Sequence, residues 1–387
     1  MKWLFVTTAF PWPLAHGTHL RIYHLARALR ARGDEITLLA GGDRHTPQRG
    51  EGLQIYRDMG VVLPSLEDVP CVDVPGNPYL HDPPLAREVQ ARARQAEAIV
   101  LFRPAAMQYA ALAAGAGPCL ADFVDDPLLE EWRMLRHSRR PLRLARGLAR
   151  LLRHWSFERR HLRSISAVTF VSPWDAAAFR RRHPRTRVRV VANGVDTEYF
   201  APPGKRPCPP DGRPEVMFLG HLSHPPNQDA ARYLLDDVAP RLRQADSKAR
   251  FIIVGASPPQ DMLALRGPDV SVTGWVDDVR PYLWQSSVVL LPMRVGTGIK
   301  NKLLEAWAAG CAVVATSRAC QGIPARDGQN LLQADSAAEL SAAVSRLIRE
   351  PDLRRRLGEA GRQTVLTHFT WPAAAEALRA VSGLAAI

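Results

Sequence analysis

The sequence predicts an α/β protein built from two doubly wound domains, and three observations lead to this prediction. Short apolar runs alternate with helical patterns along most of the 387 residues, as in parallel sheets covered by helices. A chain of this length exceeds what one hydrophobic core usually organises. Between two series of such runs lies the stretch 201–214, which has six prolines and two glycines and is typical of an extended linker.

The first domain is predicted over residues 1–200. A helical pattern at 20–33 ends at Gly33, a common helix terminator. Apolar runs predict buried strands at 2–8, 35–40, 98–102, 119–124, 167–172 and 188–192. Because ligands bind beyond the carboxyl ends of strands in open α/β sheets, the loops after these strands are where we expect a functional site.

The second domain is predicted over residues 215–370 and repeats the same rhythm. Strands are expected at 215–220, 249–255, 270–274, 288–292 and 312–316, and helices from Asn227, over 299–309 and across most of 336–368. The last segment, 371–387, is predicted to be a helix that packs back on the first domain. Two such domains facing each other would form a cleft between them.

The net charge of +13 comes almost entirely from arginine and is densest over 132–163. Leucines and Trp155 interleave with arginines there, as on an amphipathic helix that lies on an anionic membrane surface. The alternative interpretation is a solvated helix with a packed apolar face. No zinc-finger, RNP or bZIP pattern accompanies the charge, so nucleic acid is not expected as a partner.

The cysteines and the hydropathy pattern indicate a cytoplasmic protein. The five cysteines show no paired C-x-x-C spacing, which argues against both a disulfide framework and a zinc site. No run of eighteen apolar residues is present. We therefore expect a cytoplasmic location, with the basic stretch allowing peripheral attachment to the inner face of the plasma membrane.

The stretch 293–305, "MRVGTGIKNKLLE", combines glycines, lysines and a carboxylate at the start of a predicted helix. The chain has only five lysines, and Lys300 and Lys302 lie within one helical turn. Cations there oppose the helix macrodipole, and a bound diphosphate would explain them, since a glycine loop and a helix N-terminus favour anions. Glu305, one turn further on, is placed to accept hydrogen bonds from ribose hydroxyls. The alternative is an ordinary surface helix in which Glu305 pairs with a lysine.

The same stretch resembles the donor-nucleotide motif of the retaining GT-B glycosyltransferases of family 4. "EAWAAGCAVVA" (305–315) is similar to the part of the motif that begins with its second glutamate, which Glu305 matches. "NGVDTEYF" (193–200), the loop and helix at 217–235, and the glycine loop and first helix at 10–40 resemble other family segments in the correct order. A further combination, "FPWP" (10–13), Gly17 and "RIYH" (21–24) with "GIKNKLLEA" (298–306) and "QGI" (321–323), looks closest to a branch found with bacterial exopolysaccharide gene clusters.

The resemblance implies a donor site with departures from the family pattern. Thr297 stands where the family has a first glutamate near the donor sugar. His221 follows Gly220, and Asn227 lies near the position of a lysine, where much of the family has an Arg and a Lys that bind the diphosphate. We therefore expect Lys300 and Lys302, with Arg294, to supply the phosphate-binding charge. The remaining donor-site residues are expected to be Gly296 and Gly298.

On the acceptor side, "ADFVDDP" (121–127) ends a strand with three carboxylates. Many relatives have a histidine here that touches the donor sugar, and Asp125 or Asp126 stands in its place. We expect Asp125, together with Lys300 and Lys302, to have a catalytic role. The alternative is that one of the two aspartates is the N-cap of the next helix. Gly17, Arg21 and Asp122 are the other expected acceptor-side residues. No metal site and no cofactor are expected.

The resemblance implies transfer of a sugar, with retention, from a UDP- or GDP-type nucleotide sugar, which is a substrate, to a glycan or lipid-linked acceptor. The departing diphosphate would take the acceptor proton, and catalysis would consist of positioning and stabilisation of leaving-group charge. Two alternatives stay open: a nucleotide-sugar epimerase or hydrolase on the same fold, and a degenerate nucleotide-sugar binder without turnover. A dinucleotide oxidoreductase is disfavoured because no G-x-G-x-x-G follows the first strand.

Overall fold

The computed structural model forms two compact units, one of Met1–Gly194 with Trp371–Ile387 and one of Val195–Thr370. The residues that the structure describes are 1–14, 17–42, 49–66, 69–74, 77–136, 141–207, 209, 212–244, 248–296 and 298–385. Each unit contains a six-stranded sheet. The two units are described separately.

The strand pairs of the six-stranded sheet in the first unit are parallel, and all six strands predicted there are present. The strands are β1 (Lys2–Thr7), β2 (Glu35–Ala40), β3 (Ala98–Phe102), β4 (Cys119–Val124), β5 (Ala167–Phe170) and β6 (Val188–Val190), in the order β2-β1-β3-β4-β5-β6. Most of their residues are buried, because helices cover both faces of the sheet.

Helices of the first unit lie on both faces of this sheet. They are α1 (Gly17–Arg30), α2 (Arg49–Asp58), α3 (Pro83–Arg92), α4 (Pro127–Arg136), α5 (Pro141–His161) and α6 (Pro173–Arg182), and a 3₁₀ helix covers Pro104–Ala113. Alternation along β1 sends Trp3 and Phe5 into one core and Leu4 and Val6 into another.

The basic stretch 132–163, predicted as an amphipathic helix, forms the end of α4 and all of α5. Pro141 begins α5, where its fixed φ and missing N–H suit the first helical turn. Residues 137–140, between the two helices, lie outside the described part of the chain. The two helices contact each other, so the basic stretch is a helical pair instead of a single rod.

The second unit has the strands β7 (Glu215–Leu219), β8 (Arg250–Val254), β9 (Val270–Val272), β10 (Val288–Leu291), β11 (Val313–Ala315) and β12 (Leu332–Gln333), in the order β12-β11-β10-β7-β8-β9. Its strand pairs are also parallel. The five predicted strands are all present. The sequence did not reveal β12, because two residues are too short to give an apolar run.

Helices of the second unit are α7 (Pro225–Arg232), α8 (Ala239–Gln244), α9 (Gln260–Leu263), α10 (Arg280–Gln285), α11 (Asn301–Ala308), α12 (Ala337–Arg349) and α13 (Pro351–His368). A π-helical segment, Tyr233–Val238, joins α7 to α8. The helix predicted from Asn227 thus begins two residues earlier, at Pro225. A capping box between Ser336 and Glu339 fixes the start of α12.

The last helix, α14 (Trp371–Ala385), belongs to the first unit, where it packs against α1. Trp371 stacks on the His24 ring at 4.8 Å between ring centroids, and Leu378 lies in the same core as Leu25. The Arg379 guanidinium also pairs with Asp34, which accepts a hydrogen bond from the Met1 ammonium at 2.8 Å.

Among the helices of the described residues, none combines the length and the apolar character that crossing a bilayer requires.

Candidate functional site

Strand order places the predicted donor-site loops side by side in the second unit. From β7 the chain proceeds outward through β8 and β9, and it then returns to β10 on the other side of β7. The carboxyl ends of β7 and β10 therefore flank the switch point of the sheet, which is where open α/β sheets bind ligands. Gly220 follows β7, and the loop before α11 follows β10.

Lys302 and Asn227 join these two loops. The Lys302 ammonium donates a hydrogen bond to Asn227 Oδ1 at 2.7 Å and lies 4.7 Å from the centroid of the Phe218 ring. Asn227 Nδ2 donates to the backbone carbonyl of His221 at 2.8 Å. The sequence showed only that Asn227 is an uncharged residue near the position of a family lysine. In the structure, Asn227 positions the charged group of Lys302.

Gly220 leaves the space that the Lys302 ammonium occupies. A Cβ added to Gly220 would lie 2.6 Å from Lys302 Nζ and 2.9 Å from Asn227 Nδ2. A Cβ on Gly255, after β8, would lie 1.9 Å from the Gly220 carbonyl oxygen. Both contacts are shorter than atoms tolerate, so glycine at 220 and 255 lets the backbone and the lysine approach each other closely.

Burial shifts the pKa values of Lys302 and Glu305 on α11 toward their neutral forms. Desolvation lowers the pKa of Lys302 to about 7, an effect that the Glu305 carboxylate opposes and the Lys300 charge reinforces. Desolvation raises the pKa of Glu305 to about 6, and the charge of Lys302 opposes that shift. Burial removes water from both charged groups, which disfavours their charged forms. Ionisable groups kept in such surroundings are typical of a binding or catalytic site.

Both side chains keep hydrogen-bonding capacity for a ligand. Within the described residues, the Glu305 carboxylate has no hydrogen bond or ion pair. The alternative interpretation of Glu305, an ion pair with a lysine on an ordinary surface helix, is therefore not what the structure contains. Asn227 Oδ1 is the one hydrogen-bond acceptor that the described residues offer to Lys302 Nζ, and an ammonium has three donors.

Lys300 occupies the N-cap position of α11, with φ −85° and ψ 96°. Its side chain is 8% exposed, and its ammonium donates to the carbonyl of Gly298 at 3.2 Å. Gly296 and Gly298 both have positive φ, 117° and 66°, which explains why glycine is found at these positions. Thr297, between them, lies outside the described residues.

The second half of α11 is held from both sides. Leu303, Leu304 and Trp307 are fully buried. On α13, a Cβ on Gly361 would lie 2.3 Å from the Trp307 ring, so the two helices touch closely at that glycine. The carbonyls at the end of α11 accept hydrogen bonds from two arginines, as suits the negative end of a helix; these arginines are Arg206 and Arg362.

Arg294 and His221 have protein partners of their own. The Arg294 guanidinium forms two hydrogen bonds with the Asp229 carboxylate on α7, at 2.5 and 3.0 Å, and stacks over the Tyr233 ring. Arg294, expected from the sequence to bind phosphate, is thus paired with a carboxylate, whereas Lys302 forms no ion pair within the described residues. His221 Nδ1 is 2.8 Å from Ser223 Oγ.

Two of the predicted acceptor-side residues form a buried ion pair in the first unit. Arg21 Nε donates to Asp122 Oδ2 at 2.7 Å, and neither side chain is exposed. Arg21 Nη1 also donates to Asn193 Oδ1 at 2.8 Å. The pair joins α1, the end of β4 and the loop after β6, and Gly17 is the first residue of α1. The position of the Arg21–Asp122 ion pair suits a structural role in supporting the surrounding loops.

The end of β4 carries Asp125 and a strained backbone. Asp125 is half-buried, and its N–H donates to the Phe123 carbonyl at 2.7 Å. Asp126 caps α4, because its carboxylate accepts hydrogen bonds from the backbone N–H groups of Leu128 and Leu129, which confirms the N-cap interpretation for that residue. Val124 has φ 64°, which is exceptional for a β-branched residue and typical of functional sites.

Arg103, at the carboxyl end of the neighbouring strand β3, shows the same kind of strain. Its φ is 70°, its side chain is exposed, and its N–H donates to the Asp122 carbonyl. No sequence signal marks Val124 or Arg103, since positive φ at residues other than glycine, asparagine or aspartate is rare. Among the described residues, no group of three or more His, Cys, Asp or Glu side chains is arranged to hold a metal ion.

Comparison with family models gives two matches that together cover most of the chain. Residues 15–199 match the model described as Glycosyltransferase Family 4, and residues 213–350 match Glycosyl transferases group 1. The first match lies in the first unit almost entirely, and the second contains Gly220, Lys302 and Glu305.

Curated relatives share shorter stretches. The lipopolysaccharide core biosynthesis glycosyltransferase LpsE of Rhizobium meliloti (strain 1021) is 30% identical over 133 residues, 32% of this chain and 39% of the relative. The GDP-mannose-dependent alpha-(1-6)-phosphatidylinositol monomannoside mannosyltransferase of Mycobacterium tuberculosis (strain CDC 1551 / Oshkosh) is 28% identical over 229 residues, 53% of this chain and 58% of the relative. The matched stretches thus span less than two thirds of these relatives.

Solved structures resemble the whole chain. Sucrose-phosphate synthase from Thermosynechococcus elongatus superposes with a TM-score of 0.73 at 16% identity, covering 99% of both chains. Anabaena HepE in complex with UDP gives a TM-score of 0.70 at 15% identity, covering 100% of both chains. At such identities these likenesses establish the fold, a two-domain α/β GT-B architecture. With both family models matched in order, the chain belongs to the family 4 glycosyltransferases.

Proposed function

We propose that the protein is a retaining glycosyltransferase that uses a nucleotide-diphosphate sugar and builds a bacterial exopolysaccharide or other cell-surface polysaccharide. The observation that carries this proposal is the pair Lys302 and Glu305, which lies at the switch point of the second sheet. There, a cation and a carboxylate without an ion pair to each other are available to a ligand.

The two side chains suit the two polar parts of a nucleoside diphosphate. The Lys302 ammonium, together with the N–H groups at the start of α11, offers positive charge to the diphosphate. Glu305, one turn further along α11, offers carboxylate oxygens to the ribose hydroxyls. The glycine backbone at Gly296 and Gly298, with positive φ at both, lets the phosphates come close.

In the reaction we propose, the bond between the anomeric carbon and the diphosphate oxygen breaks through an oxocarbenium-like state. The acceptor hydroxyl forms the new bond on the same face, and its proton goes to the departing diphosphate. Lys302 and the α11 N-terminus stabilise the charge that develops on the diphosphate, which is usually the largest contribution to catalysis at such sites. We propose that this chemistry uses no metal and no cofactor.

Known relatives support a UDP- or GDP-type donor. One relative is named GDP-mannose-dependent, and one similar structure is a complex with UDP-glucose. The match to a lipopolysaccharide core enzyme supports a glycan or lipid-linked acceptor. On the acceptor side, Asp125, in a catalytic role, and the loops held by the Arg21–Asp122 pair are the groups that we propose to face the acceptor. We propose a cytoplasmic location at the inner face of the plasma membrane.

Nucleotide binding tests the proposed donor site. We expect isothermal titration with UDP, GDP and ADP to show a preference for one nucleotide. Glu305→Ala should weaken that binding by roughly tenfold to a hundredfold, because hydrogen bonds to a charged group contribute about 1.5–3 kcal/mol each. The matched control is Glu359→Ala, an exposed glutamate on α13, which should bind like the wild type.

Two outcomes would count against the proposal. Equal binding of the preferred nucleotide to the wild type and to Glu305→Ala would mean that Glu305 does not bind the ribose and that α11 has only a structural role. Tight binding of a nucleotide sugar without transfer or hydrolysis would instead indicate the degenerate binder.

A further inference from the structure

Helices α4 and α5 expose five large apolar side chains, Trp132, Leu144, Leu148, Leu152 and Trp155, which we call the hairpin face. Between 39% and 57% of each residue is exposed to solvent. The four residues on α5 follow the spacing i, i+4, i+8 and i+11, so they form one stripe along the helix. Five large apolar side chains exposed together are uncommon, and they indicate an interaction surface.

The hairpin face borders a groove between the two helices. The groove has a volume of about 500 Å³ and is lined mainly by Leu128, Leu129, Trp132, Leu151, Leu152 and Trp155. Apolar side chains from both helices thus line a depression at the edge of the exposed stripe.

Arginines accompany this apolar surface on α5. Five of them are exposed: Arg146, Arg150, Arg153, Arg159 and Arg160. The Arg159 guanidinium lies over the Trp155 ring, 4.8 Å from its centroid. The single acidic residue of α5, Glu158, is buried against His183. The exposed surface of α5 therefore combines apolar side chains with positive charge and no exposed acid.

We propose that the hairpin face docks on an anionic lipid membrane. An interfacial helix with leucines and tryptophans on one side and arginines on the other binds such surfaces through apolar burial and electrostatic attraction. The charge complementarity favours this occupant over a second copy of the chain, because a copy would bring the same arginines into contact. The docking itself does not depend on the proposed function. Only the idea that the membrane presents a lipid-linked acceptor rests on that function.

Two buried acidic residues of the hairpin, one at each helix, pair with the end of α6. Asp126, which caps α4, forms an ion pair with Arg182 of α6 at 2.8 Å. Glu158 of α5 lies 2.9 Å from His183 Nε2, just after α6. Since α4 begins three residues after β4, the hairpin face belongs to the same part of the first unit as Asp125. A docked membrane would therefore lie near the proposed acceptor side.

Sedimentation with vesicles tests the docking surface. We expect the full chain to pellet with vesicles of phosphatidylethanolamine and phosphatidylglycerol, to stay in solution with phosphatidylcholine vesicles, and to bind less as salt rises. The double variant Leu152→Ser/Trp155→Ser should lower the binding to anionic vesicles at least tenfold. The matched control is Trp174→Ser/Leu366→Ser, which changes one exposed tryptophan and one exposed leucine elsewhere and should bind like the wild type.

Circular dichroism and the melting temperature check that both double variants are folded, and titration with the preferred nucleotide separates this inference from the donor site. Loss of vesicle binding with nucleotide binding retained would support the hairpin face. A wild type that stays in solution with anionic vesicles would overturn it, as would equal vesicle binding by the two double variants. So would a wild-type dimer in solution that Leu152→Ser/Trp155→Ser dissociates, because the face would then bind a second copy.

Discussion

Replacing Lys302 with methionine is expected to lower the rate of sugar transfer by roughly a hundredfold to a thousandfold. The reason is that the ammonium at the start of α11 stabilises charge on the departing diphosphate, and removal of one preorganised donor from such a site typically has an effect of about this size. Methionine keeps most of the unbranched side chain and removes the ammonium that lies over the Phe218 ring. The measurement is steady-state transfer with the preferred nucleotide sugar.

The stability of the variant distinguishes a lost function from a lost fold. Lys302→Met removes a desolvated ammonium, so the melting temperature should stay the same or rise. The matched control is Lys248→Met, an exposed lysine in the same unit, which should transfer sugar at the wild-type rate. Unchanged transfer by Lys302→Met would mean that the leaving-group charge is stabilised elsewhere.

Replacing Asp122 with alanine is expected to destabilise the first unit by about 3–5 kcal/mol. The change leaves the fully buried Arg21 guanidinium without its carboxylate, and uncompensated buried charges have costs of about this size. Urea unfolding followed by tryptophan fluorescence measures the loss. Breaking the half-buried Glu88–Arg92 pair of α3 with Glu88→Ala gives the matched control, for which we expect less than about 1 kcal/mol, because both side chains still reach solvent.

An apolar replacement of both partners separates the charge from the packing. The double variant Arg21→Met/Asp122→Leu removes both charges, so it should recover much of the stability that Asp122→Ala loses. If Asp122→Ala costs less than about 1 kcal/mol, the buried pair does not hold α1 to the end of β4.

Much of the fold was accessible from the sequence because the buried strands of parallel sheets are continuous apolar runs. "AIVLF" and "VVLLP" have that character, and β3 and β10 lie where these runs predicted them. The two residues of β12 carry no such pattern. The division of the basic stretch into two helices depends on Pro141 and on contacts between the helices, which periodicity does not reveal.

The candidate site was predictable in composition but not in its contacts. The unusual pairing of Lys300 and Lys302 behind glycines marked the start of α11. The hydrogen bond from Lys302 to Asn227 spans 75 positions and depends on β7 lying beside β10. The same long-range arrangement pairs Arg294 with Asp229, which no local pattern indicates.

Proton uptake on donor binding tests most directly whether Lys302 holds the diphosphate. In the free protein the pKa of Lys302 is about 7, and a bound diphosphate should raise it, because a nearby anion favours the ammonium. At a pH of about 8 the free amine is mostly neutral, so binding must take up a proton. At a pH of about 6 it is mostly charged already, and the uptake by Lys302 should be small.

The measurement is isothermal titration of the preferred nucleotide sugar at a pH of about 8, in two buffers with different ionisation enthalpies. We expect uptake of nearly one proton per site and an affinity that falls as the pH rises above about 7. Lys302→Arg, whose guanidinium stays charged in this range, should bind without proton uptake. Tight binding by the wild type with no proton uptake would contradict the assignment of Lys302 as the diphosphate ligand.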